Sequence, residues 1–421
     1  MRMNRRHVLG AGIAGIATLS APAVMGQARP RAVVVGGGAG GATAARYIAK
    51  DSKGAIDVTL IEPTRRYYTC FFSNLYIGGF RTLDSIGHGY GALASNHGIN
   101  VVHDWAIAID RDAKIVALAS GGSVPYDRLV VSPGIDFRYE TVPGYGLAAQ
   151  NAMPHAWKAG SQTELLKAQV LAMPEGGTFV MVAPPNPFRC PPGPYERVSM
   201  VAHQLRQTNP TAKIIILDAK EKFSKQTLFE NGWKAHYPEI IEWLPASITG
   251  GVLRVDPATM EIETDLDTFK ADVANVIPGQ KAGHIAEAAG LTNDTGFCPI
   301  VPATLQSQMD ENIHLLGDAS IAGDMPKSGF SANSHGKVAA MAVRAALTES
   351  KAFPPKFANT CWSLIDTDDG IKVGARYEAT PEKIAKTEGF ISKVGESADM
   401  RRQTYQESLG WYAGITADIF G

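Results

Sequence analysis

The chain has 421 residues, 45% of them apolar, with 43 Gly, 25 Pro and a formal net charge of -1. That length is enough for two or three domains with substantial cores, and the balanced charge gives no electrostatic reason for nucleic acid or an anionic membrane surface as a partner. Its ten histidines show no H-x-x-x-H spacing, and C-x-x-C and C-x-x-C-H are absent, which argues against a zinc site and against covalent haem on this chain.

The first segment, MRMNRRHVLG, carries Arg5 and Arg6 and is followed by the apolar run VLGAGIAGIATLSAPAVM and the polar GQARPR. This pattern predicts a twin-arginine export signal over residues 1–28 and a mature protein in the periplasm. The run is short, low in Leu and Phe and broken by Pro22, so a membrane anchor is the poorer reading. No later stretch reaches about 18 uninterrupted apolar residues, so no membrane span is expected in the mature chain. In an oxidising compartment the four cysteines, Cys70, Cys190, Cys298 and Cys361, can form disulfides, and spacing alone does not choose among the three full pairings.

RAVVVGGGAGGATAARYIAKD predicts a strand, a glycine turn and a small-residue helix. Gly36, Gly38 and Gly41 fit G-x-G-x-x-G: the first for the tight turn, the second for approach of backbone to a pyrophosphate, the third for close helix–strand packing. The next strand, DVTLIE, ends at Glu62, where a carboxylate can accept hydrogen bonds from a ribose diol. Far downstream, NIHLLGDAS predicts another strand ending at Gly317-Asp318. An acid at the same sheet edge suits a long dinucleotide lying extended, with Asp318 on its ribityl or phosphate portion. That pattern is similar to FAD proteins of the glutathione-reductase superfamily, in which a second domain interrupts the first.

The expected architecture is therefore α/β, with two Rossmann-like domains, the second inserted in the first, and a small C-terminal α+β domain. The FAD-binding domain is expected over 29–144 and 284–354, the inserted NAD-type domain over 145–283, and a flavin-covering and interface domain over 355–421. Within the insertion, GGTFVMVA, YERVSMVAHQLRQ and AKIIILDA predict a β-α-β unit. The turn that should carry phosphate-binding glycines is instead APPNPFRCPPGPY, with six prolines. Proline offers no N–H, so this domain is expected to keep the fold without NAD(P)H binding, and Asp218 to be a strand-end turn residue. Pro194 suits a first helical turn, which puts Cys190 beside Arg189 just before a helix N-terminus, a setting expected to stabilise a thiolate. Glu196, on the same helix start, could shuttle a proton or simply complement the helix dipole. Cys70, among Tyr67, Tyr68, Phe71 and Phe72, reads from the residues as a buried thiol, and Cys298 as a buried apolar position with no chemistry.

VVVGGGAGG, IEPTRRYYTCFFSN, FRCPPGPYERVSM, IHLLGDAS, CWSLID and WYAGITADIFG together resemble the flavoprotein subunit of flavocytochrome c sulfide dehydrogenases, relatives of sulfide:quinone oxidoreductases. The resemblance covers essentially the whole mature chain. It implies that Cys70 carries FAD covalently through a thioether and that Cys190 and Cys361 form a redox disulfide beside the flavin. Sulfide would open that disulfide to a persulfide, and the freed thiolate would pass electrons through FAD to haem on a separate c-type cytochrome subunit. It also places 355–421 at the flavin site and the cytochrome interface, where Arg401, Arg402, Trp411 and Tyr412 are chemically suited. The segment FANTCWSLIDTDDGIKVGARYE reads as short antiparallel strands that carry Cys361 inward. The competing readings are a sulfide:quinone oxidoreductase, a periplasmic NADH-dependent disulfide reductase, a flavoprotein of a Sox-type system, and a non-catalytic flavin redox sensor or binding subunit.

Overall fold

A computed structural model describes residues 28–421. The expected export signal, with Arg5 and Arg6, lies outside the described residues apart from Ala28. Strand β1 (Arg31–Val35) runs through a glycine turn into helix α1 (Ala39–Ser52), followed by β2 (Asp57–Ile61), the short helix α2 (Ser73–Ile77) and β3 (Asn100–Val102). Strands β4 (Arg128–Val131) and β5 (Ile135–Arg138) close this half, separated by Ser132, Pro133 and Gly134.

The inserted block holds β6 (Thr178–Ala183), α3 (Gly193–Thr208), β7 (Lys213–Asp218), α4 (Gln226–His236), β8 (Ile241–Pro245) and β9 (Val273–Val276). The chain returns through β10 (Gly279–Ala282), then β11 (Ile313–Leu315) and helix α5 (Gly329–Thr348). It ends in β12 (Lys356–Asp366), β13 (Asp369–Ala379), β14 (Ile384–Ile391) and helix α6 (Ala398–Phe420).

Two parallel sheets result. The first has the order β11-β4-β1-β2-β3 and the second β8-β7-β6-β9. Their strands are near-continuous apolar runs because both faces are covered; Ala32, Val33, Val34, Leu129, Val130 and Val131 are all but inaccessible. β11 joins the first sheet from the far side of the insertion, pairing in parallel with β4, and β5 pairs antiparallel with β10 at the crossing point. The interrupted-domain topology expected from the two distant glycine-acid signals is thus realised.

The C-terminal unit is the expected α+β domain, with one difference. Its first two strands are long, eleven residues each, not short. The terminal segment supplies the α part of the expected α+β domain, a helix of 23 residues capped by Ser397, whose side chain accepts from Met400 N. Helix α6 lies along the β12–β13 hairpin and α1, and its buried positions Thr404, Ser408, Tyr412, Ile415 and Ile419 recur at three- and four-residue intervals.

Candidate active site

The glycine turn has the geometry expected of it. Gly36 has φ of 97°, and a Cβ there would lie 2.3 Å from the Ser132 carbonyl oxygen. A Cβ on Gly41 would sit 1.9 Å from the Gly36 oxygen, so only glycine lets α1 cross β1 this closely. Gly38 is the N-cap of α1 and no side chain caps that end, leaving its first amides for a ligand. Glu62 accepts from Gly37 N at 2.8 Å and from Thr64 N at 2.9 Å, which fixes its carboxylate at the edge of the turn.

Asp318 follows Gly317, whose φ is 70°, at the carboxyl end of β11. Its Oδ1 is buried without a hydrogen-bond partner, and its Oδ2 lies 3.8 Å from Arg189 Nη1. Burial pushes the Asp318 carboxyl up, against the attraction of Arg189 and Lys327. A buried acceptor left open at this edge is costly unless a ligand hydroxyl meets it.

In the inserted domain the equivalent acid is already satisfied. Asp218 is buried, accepts from the Tyr195 hydroxyl at 2.5 Å and Trp243 Nε1 at 3.0 Å, and pairs with Lys220 at 2.5 Å. The expectation of a structural strand-end residue holds, and no carboxylate remains there for a ribose.

The proline turn brings the cysteines together. Cys190 N donates to Lys327 O at 2.8 Å, and Arg189 N to Gln280 Oε1 at 2.9 Å, which ties the turn to the first domain. Cys190 itself adopts φ of 58°, a left-handed conformation costing about 1 kcal/mol for a non-glycine residue. Three residues later Gly193 opens α3; a Cβ there would meet the Trp157 ring at 2.7 Å and Cys190 Sγ at 3.0 Å.

Cys70 from the loop before α2, Cys190 from this turn and Cys361 from mid-β12 line one cavity, with Arg189, Glu196 and Arg197. Aromatic walls come from Phe71, Trp157, Phe330, Trp362 and Trp411. The indole nitrogens of Trp157, Trp362 and Trp411 are buried without partners. Three orphaned donors around an aromatic-walled cavity, and an orphaned acceptor at the end of β11, fit a flat polar ring with a polyol tail. A flavin meets that description. All four cysteines are unbridged thiols in the structure, and Cys298 is fully buried beside Lys327, away from the other three.

The expected low-pKa Cys190 is not found. Burial pushes the Cys190 thiol well above its ordinary value, with Cys361, Glu196 and Cys70 adding to the effect and Arg189 opposing it. The helix start and the arginine are where the sequence places them, but desolvation outweighs both. Cys361 is also raised by burial, yet Asn359 and Lys225 pull against that rise.

Glu196 makes no hydrogen bond to either sulfur. Its Oε2 accepts from Asn74 Nδ2 at 2.8 Å and its Oε1 from Leu364 N at 3.0 Å, so it ties α2 to β12 beneath the cavity. The same Asn74 accepts from Arg197 Nε at 3.0 Å. Arg197 also donates to the oxygens of His155 at 3.0 Å and Ala156 at 2.7 Å and to Asn275 Oδ1 at 3.2 Å. Asn74, Arg197, Lys225 and Asn359 were not anticipated. One signal for Arg197 was available: a cation at the fifth position of α3, close to its N-terminus, opposes the helix dipole, so it needs a compensating environment.

Tyr412, expected at an interface, is buried, with its hydroxyl 3.0 Å from Thr69 Oγ1 and its ring stacked on Phe72 at 4.4 Å. Trp411 faces the cavity, and Arg401 is tied to Asp369 at 3.3 Å. Arg402 is the one of the four that stands at the surface, paired with Asp399 and Asp368.

Comparison with known families agrees with this anatomy. A model of the central domain of the flavocytochrome c sulfide dehydrogenase flavoprotein chain matches residues 163–278, and the flavin-binding model of the same family matches 353–420. A pyridine nucleotide-disulphide oxidoreductase model matches 30–171. Among curated proteins, a mitochondrial sulfide:quinone oxidoreductase of Dictyostelium discoideum is 23% identical over 302 residues, 68% of this chain. The match spans 65% of that relative's length. The flavoprotein chain of the flavocytochrome c sulfide dehydrogenase of Chlorobaculum thiosulfatiphilum is 54% identical over 44 residues, 10% of this chain and 90% of that sequence. The sulfide:quinone oxidoreductase of Aquifex aeolicus superposes with a TM-score of 0.71 at 17% identity over 93% of this chain and 92% of its own. A NAD-dependent persulfide reductase of A. fulgidus gives 0.63 at 17% identity, over 90% of this chain and 77% of its own. At these identities the likeness shows the fold. Taken with the two family-specific models over the inserted and C-terminal domains, it places the chain in the family of flavocytochrome c sulfide dehydrogenase flavoprotein chains.

Proposed function

We propose that this chain is the flavoprotein subunit of a periplasmic sulfide dehydrogenase that passes electrons from sulfide to a c-type cytochrome subunit. The observation that carries the reading is the meeting of Cys70, Cys190 and Cys361, from three distant segments, on one aromatic-walled cavity. The turn Gly36–Gly41, Glu62 and Asp318 would hold FAD, and Cys70 would carry it through a thioether. When bound, the flavin accepts the electron pair released from sulfide.

The chain's own part is thiol–disulfide exchange. Cys190 and Cys361, oxidised to a disulfide, would be opened by hydrosulfide: one sulfur–sulfur bond breaks, one forms, and a cysteine persulfide and a cysteine thiolate result. Arg189 supplies positive charge next to Cys190 and Cys70. The aromatic walls exclude water from the exchange. Haem would belong to the partner, since the sequence lacks the C-x-x-C-H attachment spacing.

A quinone acceptor is the second reading, favoured by the curated sulfide:quinone oxidoreductase similarity. The family-specific matches over 163–278 and 353–420 favour the cytochrome. Among the described residues, no helix is long and apolar enough to cross a membrane. Parallel assays with sulfide plus either cytochrome c or a soluble quinone separate the two. Cytochrome c reduction is expected, and quinone reduction alone would overturn the reading. In the same preparation the flavin should remain with acid-precipitated protein and be released in Cys70→Ser; flavin still attached in that variant would refute the Cys70 linkage.

A further inference from the structure

The two sulfurs of the proposed exchange are not equivalently surrounded. Among the described residues no side-chain or backbone hydrogen bond reaches Cys190 Sγ. Cys361 Sγ, by contrast, lies 3.5 Å from Asn359 Nδ2, within hydrogen-bonding range for sulfur. Asn359 sits two residues before Cys361 on β12, is buried, and takes the Ser328 hydroxyl on its Oδ1 at 2.6 Å. Ser328 is itself fixed, because its oxygen accepts from Ser331 N at 3.1 Å as the N-cap of α5. Asn359 Oδ1 also lies 3.9 Å from Cys361 Sγ, so the thiol can donate to it, whereas a thiolate can only accept, and it does so from the nearer Nδ2. A cation stands on the same side. Lys225 Nζ donates to the Cys361 carbonyl at 3.2 Å and to Ser363 Oγ at 2.8 Å.

We propose that Asn359, oriented by Ser328, is the group that receives the Cys361 thiolate when the disulfide opens, so that hydrosulfide attack is directed to Cys190. The inference rests on the sulfide reading above and extends it to three residues outside the cysteine pair. In disulfide exchange the sulfur better stabilised as a thiolate is the one that leaves. Hydrosulfide adds to Cys190 Sγ, the Cys190–Cys361 bond breaks, and its electron pair moves to Cys361 Sγ. Cys190 then carries –S–SH, Cys361 is the thiolate, and atoms and charge balance. Asn359 touches the reacting sulfur and is catalytic in that sense; Ser328 and Lys225 are positioning residues. Other groups facing Cys361 are Glu196 from α3, Cys190 from the proline turn and Tyr377 from β13. Glu196 and Tyr377 bring no positive charge to Cys361; on the other sulfur Arg189 favours a Cys190 thiolate by its charge but makes no hydrogen bond to it, and burial outweighs it.

Cys361 and Asn359 also line a second cleft, with Pro191, Pro192, Pro326 and Lys386, through which a small reagent can reach the sulfur. The test is alkylation of the reduced, flavin-loaded protein with iodoacetamide across pH, with Cys361 and Cys190 read separately by peptide mass. Cys361 is expected to react at lower pH than Cys190. Asn359→Ala should slow Cys361 alkylation at neutral pH by about tenfold, the factor given by one unit of pKa, and leave Cys190 unchanged. Asn359→Asp should slow it further, and Ser328→Ala should slow it less while keeping the amide. Should Asn359→Ala fail to fold, Ser328→Ala carries the same readout. A Cys361 profile unchanged by these substitutions, or one lying above that of Cys190, would overturn the proposal. Alkylation needs no sulfide, so loss of sulfide turnover with these shifts intact would reject the sulfide reading and leave the role of Asn359 standing.

Discussion

Cys190→Ser is expected to reduce sulfide turnover to below roughly one-thousandth of the wild-type rate, while the flavin stays bound. Cys361→Ser should do the same. The two sulfurs come from the proline turn and from mid-β12, and they meet only because α3 packs on β12 and Glu196 ties Leu364 to α2. Serine preserves the shape of each position but forms no disulfide, so hydrosulfide has no bond to open. Neither residue belongs to the Gly36–Gly41 turn or to Asp318, so the flavin-to-protein absorbance ratio should match wild type. Substantial turnover in either variant would contradict the exchange mechanism.

The second large effect is on stability. Arg197 is 1% exposed and its guanidinium donates to four acceptors: Asn74, His155, Ala156 and Asn275. It also lies 4.8 Å from the centroid of the Trp157 ring. Burial pushes its pKa down to about 9, which still leaves it cationic at neutral pH. Arg197→Met fills much of the volume but strands those acceptors. Each buried unsatisfied group costs about 1–3 kcal/mol, so a loss of at least about 3 kcal/mol is expected. Thermal unfolding should move down by several degrees, and Trp157 and Asn74, which line the cavity, should lose their anchor. An unchanged melting temperature would mean that the network is not what holds α2, α3 and β9 around the site.

Much of the fold was legible because its constraints are local. The glycines at 36, 38 and 41 answer to backbone distances within one turn, and the six prolines over 184–194 remove donors wherever that turn is placed. The bounds of the C-terminal helix were not legible for an equally physical reason. Its buried stripe has helical spacing, but Thr404, Ser408 and Thr416 occupy part of it, so the apolar period is weak. The raised Cys190 thiol was missed because a sequence shows the neighbouring arginine and the helix start but not the depth of burial. Lys225 could not be paired with Cys361 from spacing, since it is 136 residues away and reaches it only through the packing of α4 on β12; Asn359, two residues before Cys361 on one strand, shares its face and could have been.

The most direct test of the central claim is anaerobic mixing of the flavin-loaded protein with sulfide in one sample and with NADH in another, followed by flavin absorbance. The account predicts rapid bleaching by sulfide and none by NADH, because Asp218 is consumed by Tyr195, Trp243 and Lys220 and the proline turn offers few amides. Rapid bleaching by NADH with no response to sulfide would contradict it.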